Sequence, residues 1–159
     1  MLRYSLMIET PRRPMQDRLD APKPHLTHFG GLNYDVRKLE AIAQSLPDKT
    51  FDLADSRSLE PIIEGKYWKD TEGASIGPSD LISAFHENGR NWQQVLAGHP
   101  TWSEHVAKLR RVSYATPVLV YKGHVIDGIH RLTKALCDGV EGIPFKELDE
   151  LPAAAIHAD

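Results

Sequence analysis

Apolar residues recur along this chain with two spacings, and each change of spacing marks a new element. From Tyr34 to Leu46 the residues Val36, Leu39, Ile42, Ala43 and Leu46 fall on one face of a helix. Asn33 is suited to cap it and Pro47-Asp48 stops it. Phe51 to Leu59 reads as a strand and turn, with Phe51, Leu53 and Ala54 apolar, and the stretch Ser58 to Glu64 leads on to Trp68. Thr71 to Pro78 is a loop of small residues. Pro78-Ser79-Asp80 then opens a second helix with Leu81, Ile82 and Phe85 as its stripe, and Asn88-Gly89 ends it. Trp92 to Leu96 gives a helical turn that His99-Pro100 breaks. A third helix runs from Thr101 or Ser103 to Arg111 with Val106, Leu109 and Trp102 inward. Its outer face carries Lys108, Arg110 and Arg111, the pattern of a solvated charged surface.

The spacing then shortens. Pro117 to Tyr121 is brief, apolar and β-branched, which predicts a buried strand, and Lys122-Gly123 turns it into a returning strand at His124-Val125-Ile126. Asp127-Gly128-Ile129-His130-Arg131 follows, running straight into a helical pattern from Leu132 to Leu136 that Gly139 caps. Ile143 to Lys146 gives a last short strand, and the tail from Leu151 is expected to fray. Met1 to Gly31 holds many of the prolines and reads as extended or irregular apart from a strand-like run at Tyr4 to Ile8. Short strands and helices thus alternate, which predicts an α+β fold with a small mixed sheet flanked by helices. The expected division is an irregular segment over 1–31, a domain over 32–150 and a tail over 151–159.

Composition narrows the function classes. A chain of 159 residues suits one domain with a core of its own. The formal net charge of −3 argues against coating nucleic acid through bulk electrostatics, although a local basic patch remains available. Cys137 is the single cysteine, so no internal disulfide framework forms; its place within a helical pattern suits a small buried apolar residue. His25 and His28 stand three apart without a third ligand nearby, which favours surface or packing roles over a metal. No stretch is apolar enough to span a bilayer and the N-terminus lacks a signal-peptide pattern, so the expected location is cytoplasmic with no membrane partner.

The chemistry concentrates at Asp127 to Arg131. A helix start offers unpaired backbone N–H groups and a partial positive charge, and an imidazole and a guanidinium in its first turn complete a site for an anion, phosphate above all. Singly, each residue has a plain structural role: Asp127 as a turn residue, Arg131 in a surface ion pair, His130 as a satisfied imidazole. Together on one turn they point to an anion. Arg131 can grip two phosphate oxygens, His130 can donate a hydrogen bond, and Asp127 can hold a divalent metal through its hard oxygens.

The strand Pro117-Val118-Leu119-Val120-Tyr121, its turn, and the run Val125-Ile126-Asp127-Gly128-Ile129-His130-Arg131-Leu132-Thr133-Lys134-Ala135-Leu136, trailed by Ile143-Pro144, resemble the ParB/sulfiredoxin superfamily. The likeness covers residues 105–147 well and extends loosely back to Phe51, where Phe51 to Pro61 is similar to that family's first strand and following turn. The resemblance implies a nucleotide-binding fold. Its members bind and hydrolyse CTP, phosphorylate a sulfinic acid or free serine, or are nucleases. Carried over, Gly128, His130, Arg131 and Thr133 would bind the phosphates of ATP or another nucleotide, and Asp127 would contact Mg2+ or a substrate hydroxyl. Asp127 and His130, with Glu60 or Glu64 as base, would be the catalytic residues, although the spacing to those glutamates departs from the family's. The partners implied are a nucleotide and a small-molecule acceptor, with nucleic acid and a second copy of the chain as further candidates. Two departures narrow this. Ile129 stands where sulfiredoxin has its cysteine, and neither a Gly-Glu-Arg-Arg motif nor a helix-turn-helix follows, so neither sulfinic-acid repair nor full partitioning is expected. The reading that remains is a nucleotide-dependent phosphotransferase or nucleotide hydrolase, with a DNA-associated nuclease or non-catalytic nucleic-acid-binding protein as the alternative.

Overall fold

A computed structural model describes residues 24–158. The run Tyr4 to Ile8 lies outside them. The fold is α+β, and its order begins β1 (Leu26–Phe29), β2 (Leu32–Asp35), α1 (Val36–Ala43), β3 (Lys49–Asp52) and α2 (Ser56–Ile63). Next come β4 (Trp68–Lys69), β5 (Ser75–Ile76), α3 (Pro78–Glu87), α4 (Trp92–Gly98) and α5 (Ser103–Arg111). The last part is β6 (Val118–Tyr121), β7 (His124–Asp127), α6 (Ile129–Asp138) and β8 (Gly142–Leu148).

The central sheet is mixed, in the order β3-β8-β6-β7. β6 pairs parallel with β8 and antiparallel with β7, while β3 pairs antiparallel with β8. Because α6 carries the chain across from β7 to β8, both faces of β6 are covered, and Val118, Leu119 and Val120 are all buried. Their alternation splits the core. Leu119 points toward a cluster with Tyr34, Val36, Leu39 and Ile126, while Val118 and Val120 point toward Leu59, Leu132, Ala135 and Ile143. Beyond α6 lies a third cluster of Ile76, Leu81, Val106 and Leu109, flanked by Trp68, Trp92 and Trp102, and through it α3 and α5 pack on α6.

Several expectations change. Residues 26–31 are not irregular: β1 and β2 form a hairpin across Gly30-Gly31, both at positive φ. That Gly-Gly pair between two short β-favouring runs is a hairpin signal, masked by the proline-rich stretch that precedes it. Tyr34 accordingly belongs to β2, and Asp35 rather than Asn33 caps α1 by accepting from the Arg37 N–H. Ile42 is exposed, not inward. The region read as strand and turn holds β3 followed by a full helix, α2, which contains Pro61. A proline normally interrupts a helix, but this one lies near the end of a short segment, where one lost hydrogen bond is tolerated. The tail does not fray among the described residues. A 3-10 turn at Ala153–Ala155 buries Ala155 fully, and Ile156 bridges to Tyr34. The two strands and the helix around Asp127 stand as predicted.

Candidate functional site

β7 reaches Asp127 through an irregularity. Leu119 pairs with Asp127 and Val120 with Val125, so Ile126 is an extra residue in β7. Thr27 of β1 donates to the Ile126 carbonyl at 2.6 Å, which fixes the hairpin against this bulge. The Val36 N–H holds the His25 carbonyl at 2.9 Å, and His25 Nε2 thereby comes to 3.2 Å from Asp127 Oδ1. Arg131 Nη2 contacts the other oxygen, Asp127 Oδ2, at 2.7 Å. Asp127 and Arg131 are both largely buried, with side chains 14% and 13% exposed.

Between them stands Gly128, with φ +112°, as the N-cap of α6. A Cβ there would lie 2.9 Å from Arg131 Nη2 and from Val118 Cγ2 and 3.1 Å from Arg131 Nε. The guanidinium is therefore folded tightly against the glycine backbone. No side chain caps α6, and its first helical bond runs from the Leu132 N–H to the Gly128 carbonyl. The N–H groups of the first turn stay available. Arg131 Nε is buried and has no hydrogen-bond partner among the described residues. A cavity of about 100 Å³ opens here, lined by His25, Lys108, Asp127, Gly128, His130 and Arg131.

Sequence reasoning did not find the second half of the site. Trp68 stacks on His130 at 4.1 Å and on His105 at 5.1 Å between ring centres. His105 Nδ1 lies 3.1 Å from His130 Nε2, and His105 Nε2 lies 2.7 Å from the Lys69 carbonyl. A carbonyl only accepts, so His105 Nε2 carries a proton. Neutral His105 then has a bare Nδ1, and His130 Nε2 must donate to it. With His105 neutral, the His130 N–H goes to His105 rather than to a phosphate, and Nδ1 is an acceptor with no partner among the described residues. Burial, followed by the charges of Lys108, His105 and Arg111, lowers the His130 pKa to about 3, so this ring is neutral at physiological pH.

The Lys69 carbonyl is held in place by Asp70. Its carboxylate accepts from the Glu72 and Ala74 N–H groups and from Thr101 Oγ1, and the Thr71 N–H donates to the Thr101 carbonyl, tying β4 to the start of α5. The hydrogen bond from Ala74 leads the causes that keep the Asp70 carboxyl below its usual range. Contacts of this kind join residues far apart in sequence, and no local pattern announces them. His25 was visible, but only as half of a pair with His28. His28 instead contacts Asn33 Oδ1 at 3.0 Å.

The remaining sequence candidates lie elsewhere. Thr133 is fully buried and donates to the Ile129 carbonyl at 2.7 Å, so its hydroxyl is not presented to a ligand. Glu60 and Glu64 are exposed at the end of α2, and neither is hydrogen-bonded or ion-paired to Asp127, His130 or Arg131. α2 meets the site through Pro61 and Ile62 instead. These residues join Phe29, Trp68, Val125 and Ile129 around a separate cavity of about 680 Å³. Lys108 and Arg111, read as a solvated face, line a depression with His105. Cys137 is buried, and burial pushes its thiol up to about 12, in keeping with an inert packing role.

Among the described residues, no group of three or more His, Cys, Asp or Glu side chains is arranged to hold a metal ion. Both oxygens of Asp127 face cationic or hydrogen-bonding nitrogen, with Lys108 close by, and this donor set does not suit Mg2+. Lys108, Arg131 and Gly128, the residue at the uncapped start of α6, line one cavity, and the buried Nε of Arg131 has no partner among the described residues. No described helix is long and apolar enough to cross a membrane. No family model, curated protein or solved structure matches the chain.

Proposed function

We propose that the chain binds a nucleotide through its phosphates at the Gly128–Arg131 corner and acts as a phosphotransferase or nucleotide hydrolase. The observation that carries this reading is the buried, unpartnered Nε of Arg131 beside the uncapped first turn of α6. In a native interior such a donor is rarely left unmatched, and an oxyanion matches it. The likeness of the surrounding strands and turn to the ParB/sulfiredoxin superfamily supports the same reading. So does the cavity of about 680 Å³ lined in part by Ile126 and Ile129, which is large enough for the organic part of a ligand and is edged by aromatic residues Phe29, Tyr67 and Trp68.

Each residue then has a role set by its own chemistry. Arg131 and the first-turn N–H groups hold phosphate oxygens and neutralise charge that grows on them during transfer. Asp127 holds Arg131 and His25 in orientation rather than ligating metal. Any magnesium in this reading is bound to the nucleotide's own phosphates. His130, neutral and with a bare Nδ1, accepts a hydrogen bond.

Calorimetric titration with ATP, ADP and CTP tests the reading. Arg131→Ala should weaken nucleotide binding at least about tenfold, the loss expected for one charged hydrogen bond of about 1.5–3 kcal/mol. Arg131→Lys, which keeps the charge but not the planar fork, should fall between the two. Equal affinity for wild type and Arg131→Ala would show that the phosphates bind elsewhere.

A further inference from the structure

We propose that His130 and His105 form a two-imidazole proton relay, with His130 Nδ1 as the entry point and His105 as the ring that holds the charge. This rests on the phosphoryl-transfer reading for its source of protons, a hydroxyl or water nucleophile at the corner. The geometry stands without it. His105 Nε2 is fixed as a donor by the Lys69 carbonyl at 2.7 Å, and His130 Nε2 then donates to His105 Nδ1 at 3.1 Å. The two rings lie nearly parallel, 10° apart, and both stack on Trp68.

The transfer balances. The nucleophile's O–H bond breaks as a proton joins His130 Nδ1, and its electron pair stays on oxygen. The Nε2–H bond of His130 breaks as a proton joins His105 Nδ1. His130 ends neutral with its proton on Nδ1, and His105 ends as an imidazolium. Its Nε2–H still bonds the Lys69 carbonyl and its face rests on the Trp68 indole. Lys108 and Arg111 of α5 oppose a charge on His130, and they line with Glu104 the depression on α5 that His105 also lines. Asp127 is already engaged by Arg131 and His25. Burial makes His130 a poor base by itself, and His105 is the outlet that lets it act as one.

The test is nitrogen-15 NMR of the histidine rings in the whole chain without nucleotide, titrated between about pH 8 and 5. At the basic end both rings should carry their proton on Nε2. As His105 gains its second proton, His130 should move its proton from Nε2 to Nδ1 in the same step. In His105→Asn, whose amide oxygen can accept from His130 but takes no proton, His130 should keep its proton on Nε2 throughout. Far-ultraviolet circular dichroism confirms that the variant is folded, and His105→Gln is a second variant that should likewise abolish the exchange. The relay is overturned if His105 protonates while wild-type His130 keeps Nε2–H, or if His130 shifts equally in the variants. A failed nucleotide titration with an intact exchange would sink the phosphoryl-transfer reading alone.

Discussion

Arg131 and His130 are neighbours in sequence with opposite electrostatic environments. Arg131 has a carboxylate at 2.7 Å and stays charged, whereas His130 is buried near Lys108 and Arg111 and stays neutral. The consequence for stability has a definite sign. The His130 pKa is about 3 in the folded chain, below the ordinary 6.5 that it regains on unfolding. Below the ordinary value the unfolded chain binds the extra proton and the folded chain does not, so stability falls as pH drops from 6.5 toward about 3. His130→Gln removes that titration while keeping a donor toward His105. Its melting temperature should therefore fall less than wild type's between pH 7 and 4, and calorimetric scans in matched buffers would show the difference. Parallel profiles would mean that His130 is protonated alike in both states.

At the scale of elements, two glycines show what the corner requires. Gly123 follows Lys122 in a tight turn where both residues have positive φ, and a Cβ on Gly123 would meet open space. Gly128 also has positive φ, but a Cβ there would collide with Arg131 and Val118. Gly123→Ala should therefore cost only the backbone penalty, about 1 kcal/mol. Gly128→Ala should cost about 2–4 kcal/mol, because strain and overpacking add, and it should also weaken nucleotide binding by displacing the guanidinium. Urea denaturation measures the first difference; equal losses for the two variants would mean that Arg131 swings aside freely.

At the scale of the whole molecule, the site is assembled from segments that the chain brings from far away. The start of the β1–β2 hairpin supplies His25, β4 supplies Trp68 and the Lys69 carbonyl, α5 supplies His105 and Lys108, β7 supplies Asp127, and α6 with its cap Gly128 supplies His130 and Arg131. The hairpin is held in turn by the chain's last described turn, where Ala155 is buried with Tyr34, Val36 and Leu39. Ala155→Asp places a carboxylate in that cluster and should lower stability by several kcal/mol. Because the hairpin carries His25, nucleotide affinity should fall with it in binding measured well below the melting temperature. Unchanged melting would mean that the tail contributes nothing to the core.

Local physics made one part of this protein legible in advance. β6, the Lys122-Gly123 turn, β7, the Asp-Gly corner and α6 with its Gly139 cap are specified by neighbours in sequence: β-branched runs, positive-φ residues and a helical stripe. The same stretch named Asp127, Gly128, His130 and Arg131 as one corner because a strand-to-helix turn forces them together. Tertiary structure decided the rest. Pro61 concealed α2, and the proline-rich stretch before the Gly30-Gly31 turn concealed a hairpin whose four-residue strands are too short to show a period. It also decided the chemistry of His130. Whether that ring donates or accepts depends on His105, 25 residues away, and His105 depends in turn on a carbonyl 36 residues from itself. Sequence can place an imidazole at a helix start; only the packing around it determines which nitrogen keeps the proton.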